Sequence, residues 1–224
     1  METYVIFPLL FSTGFLALFG LAEYLYHVRK IRAEITRKLV HIGTGILTLL
    51  FPIFLNDHWQ VLFLSGGFLL LLLASLQYRW LPSINAVRRV SYGSLLYPVS
   101  VYGCYLAYVF MEKGLIAFYL PILTLALCDP LAALVGTRIP AGKYSVGDGH
   151  KTVSGSLAFL AASLLLACGA FSLYAAAAFS IAEILSYSIV VALAATFAEA
   201  IGGLGIDNFT IPASVLLALN LLLP

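Results

Sequence analysis

Charge is what this chain most lacks. Asp, Glu, Lys and Arg make up 10% of its 224 residues, where a soluble domain carries roughly 25%. An ordinary soluble domain is thereby excluded. With 62% hydrophobic residues and a mean hydropathy of +1.03, the chain reads as a multi-span membrane protein. Cysteine is scarce as well. Cys104, Cys128 and Cys168 lie in apolar segments without metal-ligand spacing, which argues against a disulfide framework or a zinc site. No basic region precedes the first apolar run, and that run exceeds a signal-peptide core, so it is expected to be retained as a span. There is no internal repeat, and no low-complexity tract beyond the Ala-rich 175–178. The net charge is only +2, and no nucleic-acid partner is expected.

What is there is a series of apolar runs. A spanning helix needs roughly 20 apolar residues, and the runs predict spans at about 4–26, 39–55, 59–76, 93–111, 115–137, 153–171, 175–198 and 209–223. The expected fold is therefore an all-α polytopic transmembrane bundle of about eight spans. Seven remain possible, because the last run is short. All 224 residues form one integral membrane domain, with a long polar loop at about 138–152. The basic residues support this arrangement. Five of the 12 lie in 29–38, three in 79–89 and three in 138–151, with Lys113 elsewhere. Eight spans put all three clusters on one side, which the positive-inside rule makes cytoplasmic; both termini then face out.

Between Leu127 and Ser156 the apolar runs give way to L-C-D-P-L-A-A-L-V-G-T-R-I-P-A-G-K-Y-S-V-G-D-G-H-K-T-V-S-G-S. Asp129 lies near the end of an apolar run, where an ionisable side chain is costly and marks function by default. Pro130 removes a backbone donor and favours a break. The spans bring further polar residues to the same surface: Arg37, Lys38 and His41; Asp148, His150, Lys151, Thr152 and Ser154; and Glu199, Asp207 and Asn208. Acids beside bases beside glycines suit a nucleotide with its metal. Carboxylates hold Mg²⁺, which prefers oxygen ligands and substrate phosphates, and Lys and Arg neutralise phosphoryl charge. Blander readings exist for most positions. Arg37 and Lys38 serve equally as positive-inside anchors, His41 as an interfacial histidine, Gly147-Asp148-Gly149 as a turn, and Glu199 as a structural ion-pair partner. Glu23 and Glu183 read as structural. The run G-D-G-H-K-T fails the test for a P-loop, since no Gly precedes Lys151 and no strand precedes the run.

Four segments taken together resemble a known family. They are E-I-T-R-K-L-V-H-I-G-T-G (34–45), C-D-P-L-A-A-L-V-G-T-R (128–138), H-K-T-V-S-G-S-L-A-F (150–159), and T-F-A-E-A (196–200) with D-N-F-T-I-P (207–212). Their order and spacing are similar to those of the polyprenol kinase family of phytol, farnesol and dolichol kinases. That family includes a CTP-dependent diacylglycerol kinase and is distantly related to CDP-diacylglycerol synthases. The resemblance implies a CTP-dependent lipid-alcohol kinase that passes the γ-phosphoryl group to a terminal hydroxyl. The alcohol would be an isoprenoid such as phytol or geranylgeraniol. It also implies nucleotide contacts from Arg37, Lys38, His41, Gly136, Asp148, Lys151, Thr152, Gly155, Ser156 and Asn208. Asp129, Lys151 and Glu199 would be catalytic, and Mg²⁺ would be held by Asp129 with Asp207 or Glu199. Asp129 is favoured as the group that orients or deprotonates the hydroxyl. The family often has Gly before the Asp-Pro pair; Cys128 stands there in this chain.

Two other readings compete. A cytidylyltransferase would use the same groups but attack the α-phosphorus of CTP and release pyrophosphate. A transporter would also use broken helices and intramembrane acids, but repeats are lacking and the polar groups crowd one surface.

Overall fold

The computed structural model describes residues 2–85, 91–147, 149–174 and 179–224. Its helices are α1 (Glu2–His27), α2 (Ala33–Thr48), α3 (Phe51–Phe54), α4 (His58–Tyr78), α5 (Pro82–Asn85), α6 (Gly93–Phe110), α7 (Ile116–Leu123), α8 (Asp129–Arg138), α9 (Val153–Tyr174), α10 (Ile181–Ile201) and α11 (Asp207–Leu222). A π-helical turn, Thr124–Cys128, joins α7 to α8. Two strands, β1 (Lys143–Val146) and β2 (Gly149–Thr152), pair antiparallel between α8 and α9. The all-α bundle expected from the sequence is what forms. Within it, the polar loop at 138–152 is partly a β-hairpin, which apolar periodicity could not reveal; a strand thus does precede the run from Gly147, contrary to expectation, and only the missing Gly before Lys151 still counts against a P-loop.

Among the described residues, seven helical stretches are long and apolar enough to cross a membrane. The α11 helix has 16 residues, about 24 Å at 1.5 Å per residue. It nevertheless traverses the height of the bundle. Its first turn is tied to the start of α6, where Asn208 Nδ2 donates to the Gly93 carbonyl at 2.8 Å. Its far end meets the turn after α6, where Lys113 Nζ donates to the Leu223 carbonyl at 2.9 Å. It therefore runs parallel to α6, although it is shorter than the seven stretches.

Cross-element bonds define the two faces. On one, Tyr4 OH donates to Asp57 Oδ2 at 3.0 Å and Tyr105 OH to the Leu55 carbonyl at 2.9 Å. On the other, the Ser83 amide donates to Glu23 Oε1 at 3.0 Å, and the Tyr92 amide to the Leu204 carbonyl at 2.8 Å. The second face carries the described members of all three basic clusters; Arg88 and Arg89 lie outside the described residues. Lys113 lies on the first.

Local chemistry sets most element ends. Asp57 and Gln60 form a capping box at the start of α4. Hydrogen bonds from the Trp59 amide and the Tyr4 hydroxyl hold the Asp57 carboxyl below its ordinary range. Ser180 and Glu183 cap α10 in the same way. The second predicted span, 39–55, begins too late: α2 starts at Ala33 and carries Arg37 and Lys38 on its first turns. Hydropathy marks where apolar depth begins, whereas the helix extends beyond it into the polar face. The seventh predicted span, 175–198, likewise corresponds to Ile181–Ile201, and its first residues, 175–178, lie outside the described residues.

Lipid is as apolar as Leu, so helices associate through close van der Waals packing rather than hydrophobic burial. Small side chains provide it here. Ser163 and Ala167 of α9 and Ala192 and Ala195 of α10 are buried where these neighbouring helices pack. Large apolar side chains such as Phe63, Leu165, Phe197 and Leu221 point outward, as a hydrocarbon surround allows. Tyr78 and Trp80 stack at 5.1 Å, exposed on the basic face, where interfacial aromatics belong.

One turn demands glycine. Gly205 has φ +83°, and a Cβ there would lie 2.4 Å from the Gly93 amide nitrogen. Gly205→Ala should therefore cost about 1–3 kcal/mol. We expect a lowered unfolding temperature in detergent.

Candidate active site

The basic face holds a buried ionic cluster built from three distant parts of the chain. Lys151 ends up there because β1 and β2 pair in a register that sets Tyr144 opposite Lys151. Its ammonium donates to Glu199 Oε1 at 2.7 Å and to Asp207 Oδ2 at 3.2 Å, and also to the Glu199 backbone carbonyl. Glu199 is supplied by the last turns of α10 and Asp207 by the first residue of α11. Gly202 makes the link short enough, since a Cβ there would lie 2.7 Å from Asp207 Cβ. The second Glu199 oxygen accepts from Ser156 Oγ at 3.0 Å. Ser156 in turn takes a hydrogen bond from Tyr144 OH at 2.7 Å. Every charged partner is mostly buried, the Glu199 side chain being 7% exposed. Burial alone would depress the Lys151 ammonium, but the Asp207 and Glu199 carboxylates outweigh it and hold its pKa above the ordinary lysine value. The lysine therefore stays charged through neutral pH. Its stabilising contribution is complete below the ordinary lysine pKa and is lost as pH rises through the raised folded value.

Asp129 faces this cluster from the opposite wall. It is the first residue of α8, and its electrostatic neighbours are Asp207, Lys151, Glu199 and Arg37. The break expected at Asp129-Pro130 takes the form of the π turn just before it, and the helix continues beyond. Pro130 has no amide hydrogen, so it cannot serve the carbonyl four or five residues back. One of those carbonyls, that of Leu125, accepts instead from His41 Nε2 at 3.0 Å. A carbonyl only accepts, so the His41 proton sits on Nε2. His41 thus braces α2 against the π turn, reinforced by Tyr97, whose ring lies 4.9 Å away.

The other residues singled out in the sequence are distributed as follows. Arg37 Nη1 donates to Ser91 Oγ at 3.3 Å, and both Arg37 and Lys38 line the cavity described below. Thr152 Oγ1 accepts the Gly155 amide at 3.1 Å and so caps α9. Gly136 and Gly155 let α8 and α9 cross closely: a Cβ on Gly136 would lie 2.5 Å from Thr152 Oγ1, and one on Gly155 would lie 2.9 Å from the Ala132 carbonyl oxygen. Asn208 anchors α11, its carbonyl accepting from Ser100 Oγ at 2.7 Å. Asp148 lies outside the described residues. Sequence reasoning missed Tyr144 and Ser91. The first becomes visible only through the hairpin register, and the second only through the packing of α2 beside the start of α6. Glu23, read as structural, bonds the Ser83 amide and lies 3.1 Å from His27 Nε2.

These groups surround the mouth of a cavity of about 520 Å³. Its polar end is lined by Arg37, Lys38, Asp129, Lys151, Glu199 and Asp207. Its other end runs into the bundle between α1, α2, α4 and α6, where Phe15, Thr48, Phe51, Leu64, Phe68 and Val101 line it. Such a cavity suits an amphiphile whose polar end reacts at the surface while its tail lies among the spans.

A phytol kinase from Synechocystis sp. is 35% identical to this chain over 194 residues, covering 85% of this chain and 80% of the relative. The chain belongs to the polyprenol kinase family. No family model matches it, and no solved structure does.

Removing one partner from a buried ion pair leaves the other uncompensated, at a cost of about 3–5 kcal/mol. In this family member, Lys151→Met should therefore lower thermal stability in detergent and abolish activity. Adding Glu199→Gln and Asp207→Asn should restore much of the stability but none of the activity. Additive losses across the three substitutions would refute the coupling.

Proposed function

We propose that this chain is a CTP-dependent kinase of a membrane isoprenoid alcohol, with phytol or geranylgeraniol as the preferred class. The observation that carries the reading is the single cavity that joins a charged mouth to an aromatic-lined apolar interior. Family membership supports lipid-alcohol phosphorylation, and the choice of CTP rests on the resemblance of the four motifs.

In the proposed reaction the alcohol oxygen attacks the γ-phosphorus of CTP. The bond from that phosphorus to the β-γ bridging oxygen breaks, giving the lipid monophosphate and CDP. Asp129 accepts the hydroxyl proton. Lys151, with Arg37 and Lys38, neutralises the triphosphate and the transferring group, since catalysis of this step is mainly positioning and electrostatics. Among the described residues, no three His, Cys, Asp or Glu side chains form a ready-made metal cage; Glu199 and Asp207 share Lys151 instead. That fits a metal that binds together with the nucleotide. Mg²⁺ typically uses one or two carboxylates, keeps several waters and takes substrate phosphates as ligands. Asp129, Glu199 and Asp207 are the oxygen donors in reach, and a bound Mg²⁺ would supply charge neutralisation at the β- and γ-phosphates. Gly136, Thr152, Gly155 and Ser156 shape the adjoining wall, and His41 and Asn208 hold the helices that carry it. The basic loops favour a cytoplasmic active-site face.

The test uses purified protein in detergent with Mg²⁺ and γ-labelled CTP, ATP as control donor, and phytol, geranylgeraniol, farnesol, dolichol and diacylglycerol as acceptors. Label in an isoprenyl monophosphate is the expected result. Pyrophosphate release with a CDP-lipid product would reassign the chain to cytidylyl transfer. Asp129→Asn should reduce kcat by about 10²–10⁴-fold, and an unchanged kcat would remove Asp129 from the proposed chemistry.

A further inference from the structure

The apolar end of the cavity closes on one side chain. Along α2, at about 1.5 Å per residue, the path from His41 to Thr48 corresponds to about 10 Å of depth, and Phe51 follows at the start of α3. On the way, Thr44 and Thr48 line the cavity, and both turn their hydroxyls back to their own helix. Thr44 donates to the Val40 carbonyl at 2.8 Å and Thr48 to the Thr44 carbonyl at 2.6 Å. They therefore present methyl groups and no unmet hydrogen-bonding demand. At the bottom, α2 ends and α3 begins with Phe51, which lines the cavity yet is only 1% exposed. Its ring is held edge-on by Phe11 at 4.9 Å and by Phe15 at 6.2 Å. Phe15 is locked in turn against Phe68 at 4.9 Å. Four residues on, Leu55 is 4% exposed, and its carbonyl accepts from Tyr105.

We propose that Phe51 is the chain-length stop of this enzyme: its ring ends the tail cavity and sets the longest isoprenoid alcohol that fits with its hydroxyl at Asp129. The proposal rests on the reading of the cavity as a lipid-alcohol site. Phe15 and Phe68 hold the stop in position, and the branched methyls of an isoprenoid pack against these aromatic edges. A polyprenol longer than the cavity must leave its distal units outside or fail to bring its hydroxyl to the charged mouth.

The stop is tested by binding and turnover in the whole chain, with farnesol, geranylgeraniol, phytol, geranylfarnesol and dolichol. Binding is read as the rise in unfolding temperature that each alcohol produces. The wild type should be stabilised most by geranylgeraniol or phytol. Phe51→Leu, which keeps an apolar core side chain, and Phe51→Ala should both shift the profile toward the next longer prenol, with a gain of about tenfold in the geranylfarnesol-to-geranylgeraniol ratio of kcat/KM, in line with what hydrophobic pockets discriminate. Phe51→Trp should move it to farnesol. Folded variants with the wild-type length profile, by either readout, would overturn the stop, as would a wild type stabilised by no alcohol. Stabilisation that follows the predicted length order without any phosphorylation would uphold the stop and overturn the kinase reading instead.

Discussion

A buried charge needs a partner, and in this molecule that requirement gathers the site. Lys151, Glu199 and Asp207 come from a hairpin, the end of one spanning helix and the start of another. None could be withdrawn from water alone at tolerable cost. Their mutual pairing fixes where β2 lies over the bundle and how tightly α10 turns into α11. It also crowds three acids and three bases at one mouth, with Asp129, Arg37 and Lys38 lining the same cavity as the triad.

The same economy of polar groups runs through the spans. The π turn exists beside a proline that cannot donate, and the carbonyl left over is met by a histidine from another helix. Threonines and serines in the core mostly bond to their own helix, which leaves apolar surface toward the cavity. Ionic chemistry concentrates at the faces because an excursion into the interior needs its own partner. This is why the cavity changes character so abruptly along its length.

Much of this was legible in the sequence, for identifiable reasons. Spans announce themselves through hydropathy, and the basic loops sort the faces. Asp129 stood out because an acid at apolar depth requires an explanation. The motif order led to the residues that meet at the mouth. What was not legible depends on register or on close approach. Tyr144 reaches Ser156 only because four residues pair as β1. The motifs implied Gly136 and Gly155 as nucleotide contacts, but not the tight crossing of α8 and α9 that both glycines permit. The bond that His41 makes to the Leu125 carbonyl was not legible either, because nothing local to the histidine foretells that orphaned acceptor.

The π turn also has a consequence for how this helix can vary. An extra residue accommodated without an extra turn rotates everything after it by about 100° relative to an uninterrupted α-helix. Asp129 follows immediately, so its direction is set by a count of residues rather than by any one side chain. Substitutions between Thr124 and Cys128 change packing but preserve that count. Loss of a single residue there would let the helix relax to the ordinary pitch and swing the carboxylate to another side of the bundle. Length, more than identity, is what this short stretch has to keep.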